Sequence, residues 1–307
     1  MKIITQVIAP LFLVIGLGYL LERRRALDTG TIAALALYVL NPALTLRSFL
    51  TTPLAGAELG KVALFALLLA CVSSLLVQAA VRLWRLPRPL WDLVALTTLF
   101  MNSGHYGVPV NYFAFGQAGF TLAVTFMAFQ SVLTNSWAVY LTCRQRWGVA
   151  AALGRVVRMP LLYAMLAALA LRQFHLALPV ALEKGVALLA DGAIPVSLLM
   201  VGIQLAETAQ GFKSTSGELT RAAFLSVGLR LVAAPLLAWF LTAWLGIGGL
   251  LRKVLLVEAA TPTAVMTVVL STEFDHRADF TARVVFLSTL ASSATITVLL
   301  WLLQRWG

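Results

Sequence analysis

Long apolar runs alternate with short charged or Gly/Pro-rich breaks from one end of this chain to the other. Ten runs stand out: Ile4 to Leu21, Thr31 to Leu50, Val62 to Leu83, Leu90 to Phe115, Phe120 to Thr142, Val156 to Phe174, Ala181 to Ala206, Ala222 to Leu245, Val254 to Thr272 and Val284 to Leu303. Each is close to the roughly 20 residues an α-helix needs to cross a hydrocarbon core. Apolar periodicity alone does not separate a buried helix from a membrane helix, so the length between breaks decides. The pattern predicts an all-α membrane protein with ten transmembrane helices.

Composition agrees with that reading. Of 307 residues, 61% are hydrophobic and 11% charged, and the mean hydropathy is +0.92. Soluble proteins are roughly 45–50% apolar and about 25% charged, so a water-soluble fold is excluded, and the short breaks leave no room for a separate soluble domain. The first run begins at Ile4 behind a single Lys2 and is followed by Glu22-Arg23-Arg24-Arg25, the reverse of the charge order of a signal peptide, so it is expected to be retained as a span. Cys71 and Cys143 fit neither a disulfide framework nor a metal motif.

The net charge of +11 points to topology rather than nucleic acid, because the basic residues fall in short clusters between apolar runs. Alternating the sides of the ten-span map puts fourteen of the 23 Lys and Arg on one face: Arg23 to Arg25, Arg82, Arg85, Arg88, Arg144, Arg146, Arg155, Arg158, Lys213, Arg221, Arg277 and Arg283. Eight lie on the other face, and Arg230 falls inside a span. Cytoplasmic loops carry the positive excess, so both termini are expected outside a bacterial inner (plasma) membrane.

Two prolines in each half repeat at one spacing. Pro42 and Pro195 are 153 residues apart, as are Pro109 and Pro262. An odd number of spans per half makes the second half insert upside down, giving inverted repeats: residues 1–142, a central cytoplasmic loop at 143–155, and residues 156–307. Proline removes a backbone hydrogen bond and clashes with the preceding turn, so the helices are expected to bend or break at Pro42, Pro109, Pro195 and Pro262.

The fourth span reads Met101-Asn102-Ser103-Gly104-His105-Tyr106-Gly107-Val108-Pro109-Val110-Asn111, a polar, glycine-containing stretch at membrane depth. Unwound backbone is tolerated there only inside protein or beside a wet cavity, where half-helix ends offer N–H groups to anions and carbonyls to cations. Glu258-Ala259-Ala260-Thr261-Pro262-Thr263 in the ninth span is its counterpart. Asn102, Ser103, Gly104, Tyr106, Gly107, Pro109, Asn111, Thr261, Pro262 and Thr263 are therefore candidate substrate-binding residues. Asn102 and Asn111 also fit a second reading, as amides joining helices at about 0.6–2 kcal/mol each.

His105 and Glu258 share the 153-residue spacing, each four residues before its proline. An ionisable group inside a membrane span is costly unless partnered or functional, so Glu258 is the candidate proton or cation site, with His105 and Asp191 as further ion-coupling candidates. Arg230 lies about eight residues into its span, roughly 12 Å deep, and reads either as an anion ligand or as an ion-pair partner of Glu258 or Asp191. Arg47, near a span end, is expected to snorkel to the interface.

The stretches ALYVLNPAL, NSGHYGVP, GAIPVSLLMVGIQLA and EAATPTAVMTVVLSTEF, in this order, resemble the auxin efflux carrier family, which includes bacterial malonate-type carriers and, more distantly, plant PIN auxin carriers. The resemblance covers nearly the whole chain. It implies ten spans with outward termini, crossing broken helices 4 and 9, an architecture similar to bile acid/sodium symporters, and carboxylates moved by an elevator motion. In that scheme spans 1, 2, 6 and 7 form the scaffold, and spans 3 to 5 and 8 to 10 the moving part. Matched by position, the family's span 4 Asn and Gly-x-Pro fall on Asn102, Gly107 and Pro109, and the span 9 Pro on Pro262. Met266 departs from the pattern, standing where many bacterial members place Asn and so removing a polar substrate contact.

The expected function is secondary transport of a small organic anion, a mono- or dicarboxylate. The expected partners are that anion, H+ or Na+ if transport is coupled, the lipid bilayer and a second copy in a homodimer; no cofactor or metal is implied. An embedded enzyme would need a catalytic constellation, yet His105, His175 and His276 are scattered and no paired-Asp motif occurs. A channel is the remaining alternative, distinguished by the absence of saturation and counterflow.

Overall fold

The computed structural model describes residues 3–25, 27–143, 159–210, 217–273 and 277–305. The predicted central loop lies almost wholly outside the described residues, as does His276. Among the described residues the fold is helical throughout, with one isolated antiparallel bridge. The helices are α1 (Ile4–Arg25), α2 (Thr29–Thr51), α3 (Gly56–Leu83), α4 (Trp91–Leu99), α5 (Ser103–Leu133), α6 (Pro160–Gln173), α7 (Val180–Gln210), α8 (Gly217–Trp244), α9 (Gly249–Ala259), α10 (Met266–Glu273) and α11 (Ala278–Arg305). Seven of them, α1, α2, α3, α5, α7, α8 and α11, are long and apolar enough to cross a membrane. Many of their leucines and aromatics face outward, Leu13, Leu188, Phe240 and Trp244 among them, as lipid-facing helices require and soluble surfaces avoid.

Of the four prolines expected to bend or break their helices, Pro262 lies in a break and the others stay within helix. Widened turns at Ile4–Ile8, Ala36–Leu40, Ser103–Gly107 and Leu229–Ala233 each end two residues before a proline, namely Pro10, Pro42, Pro109 and Pro235. A proline ring crowds the carbonyl four residues back. Passing that ladder position to an i→i+5 bond relieves the clash without ending the helix. The helix continues through Pro42 and Pro109, and Pro195 sits inside unbroken α7. The non-helical backbone of predicted span 4 lies ahead of Pro109, at Phe100 to Asn102, whereas that of predicted span 9, Ala260 to Val265, contains Pro262 as expected. Past Pro109, α5 turns at Gly116 with φ 67°, a left-handed conformation that glycine adopts without steric cost.

α1 packs along α7, and α2 packs against α6 and α7. The first contact is close enough for backbones to touch. A methyl group on Gly18 would strike the carbonyl of Leu199, and one on Gly202 would strike the carbonyl of Ile15 and the amide of Tyr19. Small residues at such crossings let membrane helices gain van der Waals contact where the hydrophobic effect contributes nothing. One apolar cluster, with Leu11, Phe49, Phe65, Phe126, Leu198 and Leu255 among its members, joins these helices to α3, α5 and α9. A second joins the ends of α3, α4, α8 and α11 through Val81, Val94, Ala222 and Val284.

Gly202→Leu is expected to separate α1 from α7 and lower the melting temperature of the purified protein, whereas Gly16→Leu, where nothing lies within 4 Å of the added carbon, leaves it near the wild-type value. Equal melting of the two variants would contradict the close-packed crossing.

Candidate functional site

α4 ends at Leu99 and α9 at Ala259, and the chain in both places runs extended before the next helix begins. The two extended pieces pair antiparallel. Met101 bridges Thr263, the Asn102 amide donates to the Pro262 carbonyl at 2.8 Å, and the Ala264 amide donates to the Phe100 carbonyl at 2.8 Å. Each break supplies what the other lost, which satisfies backbone groups that hydrocarbon would leave bare. Side chains tie the pair down. Thr263 Oγ1 donates to the Thr97 carbonyl at 2.7 Å, and the Thr263 amide donates to Ser288 Oγ on α11 at 3.1 Å. Ser292 Oγ donates to the hydroxyl of fully buried Tyr106 at 2.9 Å.

Glu258 lies on the last turn of α9 with 0% exposure. Its carboxylate accepts from Ser103 Oγ at 2.6 Å and from Asn111 Nδ2 at 2.9 Å, while Asn111 Nδ2 also reaches the Gly107 carbonyl at 3.0 Å. Ser103, Gly107 and Asn111 are spaced i, i+4, i+8 and share one face of α5. Gly107 sits in the middle because a side-chain carbon there would run into the Glu258 carboxylate. A carboxylate this deep is tolerable only when hydrogen-bonded, and α5 supplies the donors.

Of the two alternatives for Arg230, a direct ion pair with Glu258 or Asp191 is not made among the described residues: Arg230 interacts electrostatically with Glu258, but its hydrogen bonds go elsewhere. Arg230, 1% exposed, donates from Nε to the Thr261 carbonyl at 3.0 Å, from Nη1 to the Thr98 carbonyl at 3.0 Å, and from Nη2 to the Ala259 carbonyl. The reason is local: the last carbonyls of α4 and α9 have no intrahelical partner, and they take the guanidinium before any carboxylate can. Asp191 lies elsewhere, on α7, with its side chain 70% exposed and paired with Arg47 at 2.5 Å. Arg47 therefore bonds to α7 in addition to reaching outward, donating also to the Ala187 carbonyl at 3.3 Å.

Beside the crossing lies a cavity of 460 Å³. Phe100, Met101, Asn102, Ser103, Gly104, His105, Ala264 and Met266 line it from the breaks, Met127, Gln130 and Ser131 from α5, Leu37, Tyr38 and Asn41 from α2, and Met159, Pro160 and Leu161 from the start of α6. Asn102 Nδ2 and His105 Nε2 are buried polar atoms with no hydrogen-bond partner. Of the candidate residues, Asn102, Ser103, Gly104 and His105 reach this cavity. Tyr106, Gly107, Pro109, Asn111, Thr261, Pro262, Thr263, Arg230, Glu258 and Asp191 do not line it. Most of these hold the crossing together from behind, by the bonds described above. Asn41, Tyr38 and Gln130 were missed; Asn41 had a sequence signal, standing before Pro42 in the ALYVLNPAL motif.

A family model described as membrane transport protein matches residues 146–301. The chain is similar to an uncharacterized transporter of Methanothermobacter thermautotrophicus, 26% identical over 95% of this chain and 96% of that protein. It is also similar to an uncharacterized transporter of Methanocaldococcus jannaschii, 26% identical over 68% of this chain and 67% of that one. With that family matched over half its length and the four motifs in order around a pair of crossing breaks, the chain belongs to the membrane transport protein family, that of the auxin efflux carriers.

Proposed function

We propose that this membrane transport protein is a secondary transporter of a small organic anion, built as two inverted five-span repeats and working by an elevator motion. The observation that carries the substrate reading is the convergence on one cavity of both helix starts beyond the breaks and the unpartnered side-chain nitrogen of Asn102, Nδ2. The first N–H groups of a helix have no intrahelical acceptor and carry partial positive charge. α5 presents Ser103, Gly104 and His105 to the cavity, and α10 begins at Met266 beside Ala264. Among the described residues no lysine or arginine lines the cavity, so from these a carboxylate would be held by helix ends and Asn102 Nδ2.

Packing supports the inverted repeat. If spans 1 to 5 correspond to spans 6 to 10, a two-fold axis turns a contact between spans 1 and 7 into one between spans 6 and 2. The chain makes both, as α1 on α7 and α6 on α2. The cavity lies where α2 and α6, read as scaffold, face the crossing, read as the moving part. Sliding one against the other would carry a ligand held at the helix starts across the membrane. Met159 to Leu161 follow directly on residues 144–158, the cluster read as cytoplasmic, so in this reading the cavity lies toward the cytoplasmic side. In this reading Glu258 carries the coupling ion, H+ or Na+, because its carboxylate bridges the two broken helices and so senses their separation.

Three measurements bear on this. A thermal-shift screen of purified protein against mono- and dicarboxylates should find ligands that raise the melting temperature, since selective binding stabilises the folded state. Asn102→Leu should then weaken binding by roughly ten- to a hundredfold, the loss of one hydrogen bond to a charged group being about 1.5–3 kcal/mol. The anion reading fails if no carboxylate shifts the melting temperature, or if the variant binds as tightly as wild type.

Glu258→Gln should abolish the dependence of net uptake on pH or sodium while retaining substrate exchange. Adding Arg230→Met should not rescue it, because Arg230 bonds to carbonyls and not to Glu258. Unchanged ion dependence in a folded Gln variant removes Glu258 from coupling.

Single cysteines within residues 144–158 should label only from the cytoplasm, and cysteines at both termini only from outside. A cytoplasmic C-terminus would overturn the ten-span topology.

A further inference from the structure

Arg230 is the largest fully buried side chain among the described residues, and it faces no carboxylate oxygen within bonding distance. Its three partners are all main-chain carbonyls, and they come from both broken helices. Thr98 is in the last turn of α4, Ala259 is the last residue of α9, and Thr261 lies in the break that follows. The C-terminal ends of helices carry partial negative charge, so two such ends and a loop carbonyl converge on one buried point. Glu258 is near enough to interact electrostatically with Arg230, but its oxygens accept from Ser103 and Asn111.

Converging carbonyls at half-helix C-termini are the ligand set with which membrane carriers hold monovalent cations. Here the position is filled by a group attached to α8. The guanidinium fork suits it better than an ammonium would, because Nε, Nη1 and Nη2 diverge in one plane and each meets a different carbonyl. We propose that Arg230 is a resident cation, standing in for a free monovalent ion at the crossing, and that removing its side chain exposes a cryptic site for guanidinium or another small monovalent cation. A tethered charge stays with the protein through every cycle. A cation at these carbonyls is therefore never a transported or stoichiometrically coupled species, whatever the substrate proves to be.

The test is chemical rescue of folding stability and needs no substrate. Purified Arg230→Ala should melt at least about 5 °C below wild type, given the cost of leaving buried polar groups unpaired. Millimolar guanidinium chloride should recover part of that loss, with no matching rise in wild type and none from tetramethylammonium chloride at equal ionic strength, whose methyl groups cannot donate. Arg230→Met fills the space without the charge and should melt as low as the Ala variant. Wild-type stability of Arg230→Met, or absence of any guanidinium-specific rise in Arg230→Ala, would overturn the proposal and leave Arg230 as packing. Should the Ala variant not survive purification, Arg230→Lys melting above Arg230→Gln sustains the resident cation, and the reverse order overturns it.

Discussion

Every main-chain N–H and C=O in a hydrocarbon environment must find a partner within the protein. Two interrupted helices at membrane depth raise that demand twice over, since each interruption leaves bare carbonyls on one side and bare amides on the other. This chain meets it by crossing the two breaks. The bonds from Asn102 to Pro262 and from Ala264 to Phe100 satisfy the extended backbone, and Arg230 collects the carbonyls that remain. The positions of α4, α5, α9 and α10 all follow from that one solution.

The crossing also sorts charge in space. Its carbonyl-rich side is neutralised by Arg230, deep against α8, while the amide-rich side opens toward the cavity beside Asn102 and Ser103. Glu258 stands between, bonded to the Ser103, Gly107 and Asn111 face of α5. In the proposed reading an anion would be drawn to this side by the partial positive charge of aligned peptide groups at the helix starts. The cavity walls also include Met101, Met127, Met159 and Met266, flexible side chains that adapt to irregular shapes.

Around this polar centre the remaining helices are held by shape. Gly18 and Gly202 bring α1 and α7 to backbone contact, a rigid pairing of the kind a stationary frame needs. The widened turns before Pro10, Pro42, Pro109 and Pro235 keep long helices continuous where proline would otherwise interrupt them.

The sequence by itself determined the membrane class, the apolar segments and the stretches where two helices are interrupted. Those follow from composition, segment length and residues such as Asn102 and Glu258 whose burial in lipid needs a reason, and each is a property of local chain. It also singled out the polar stretches of predicted spans 4 and 9, because glycine and amide residues at membrane depth are legible in one dimension. Only the tertiary structure decided that the breaks fall at Phe100 to Asn102 and Ala260 to Val265 and not at all four prolines, since a widened turn is as open to a proline as a break is. It alone decided that Arg230 serves carbonyls and that Asp191 pairs with Arg47. Partner choice between groups 29 to 144 residues apart depends on which helix ends are brought together, and no spacing along the chain encodes that proximity.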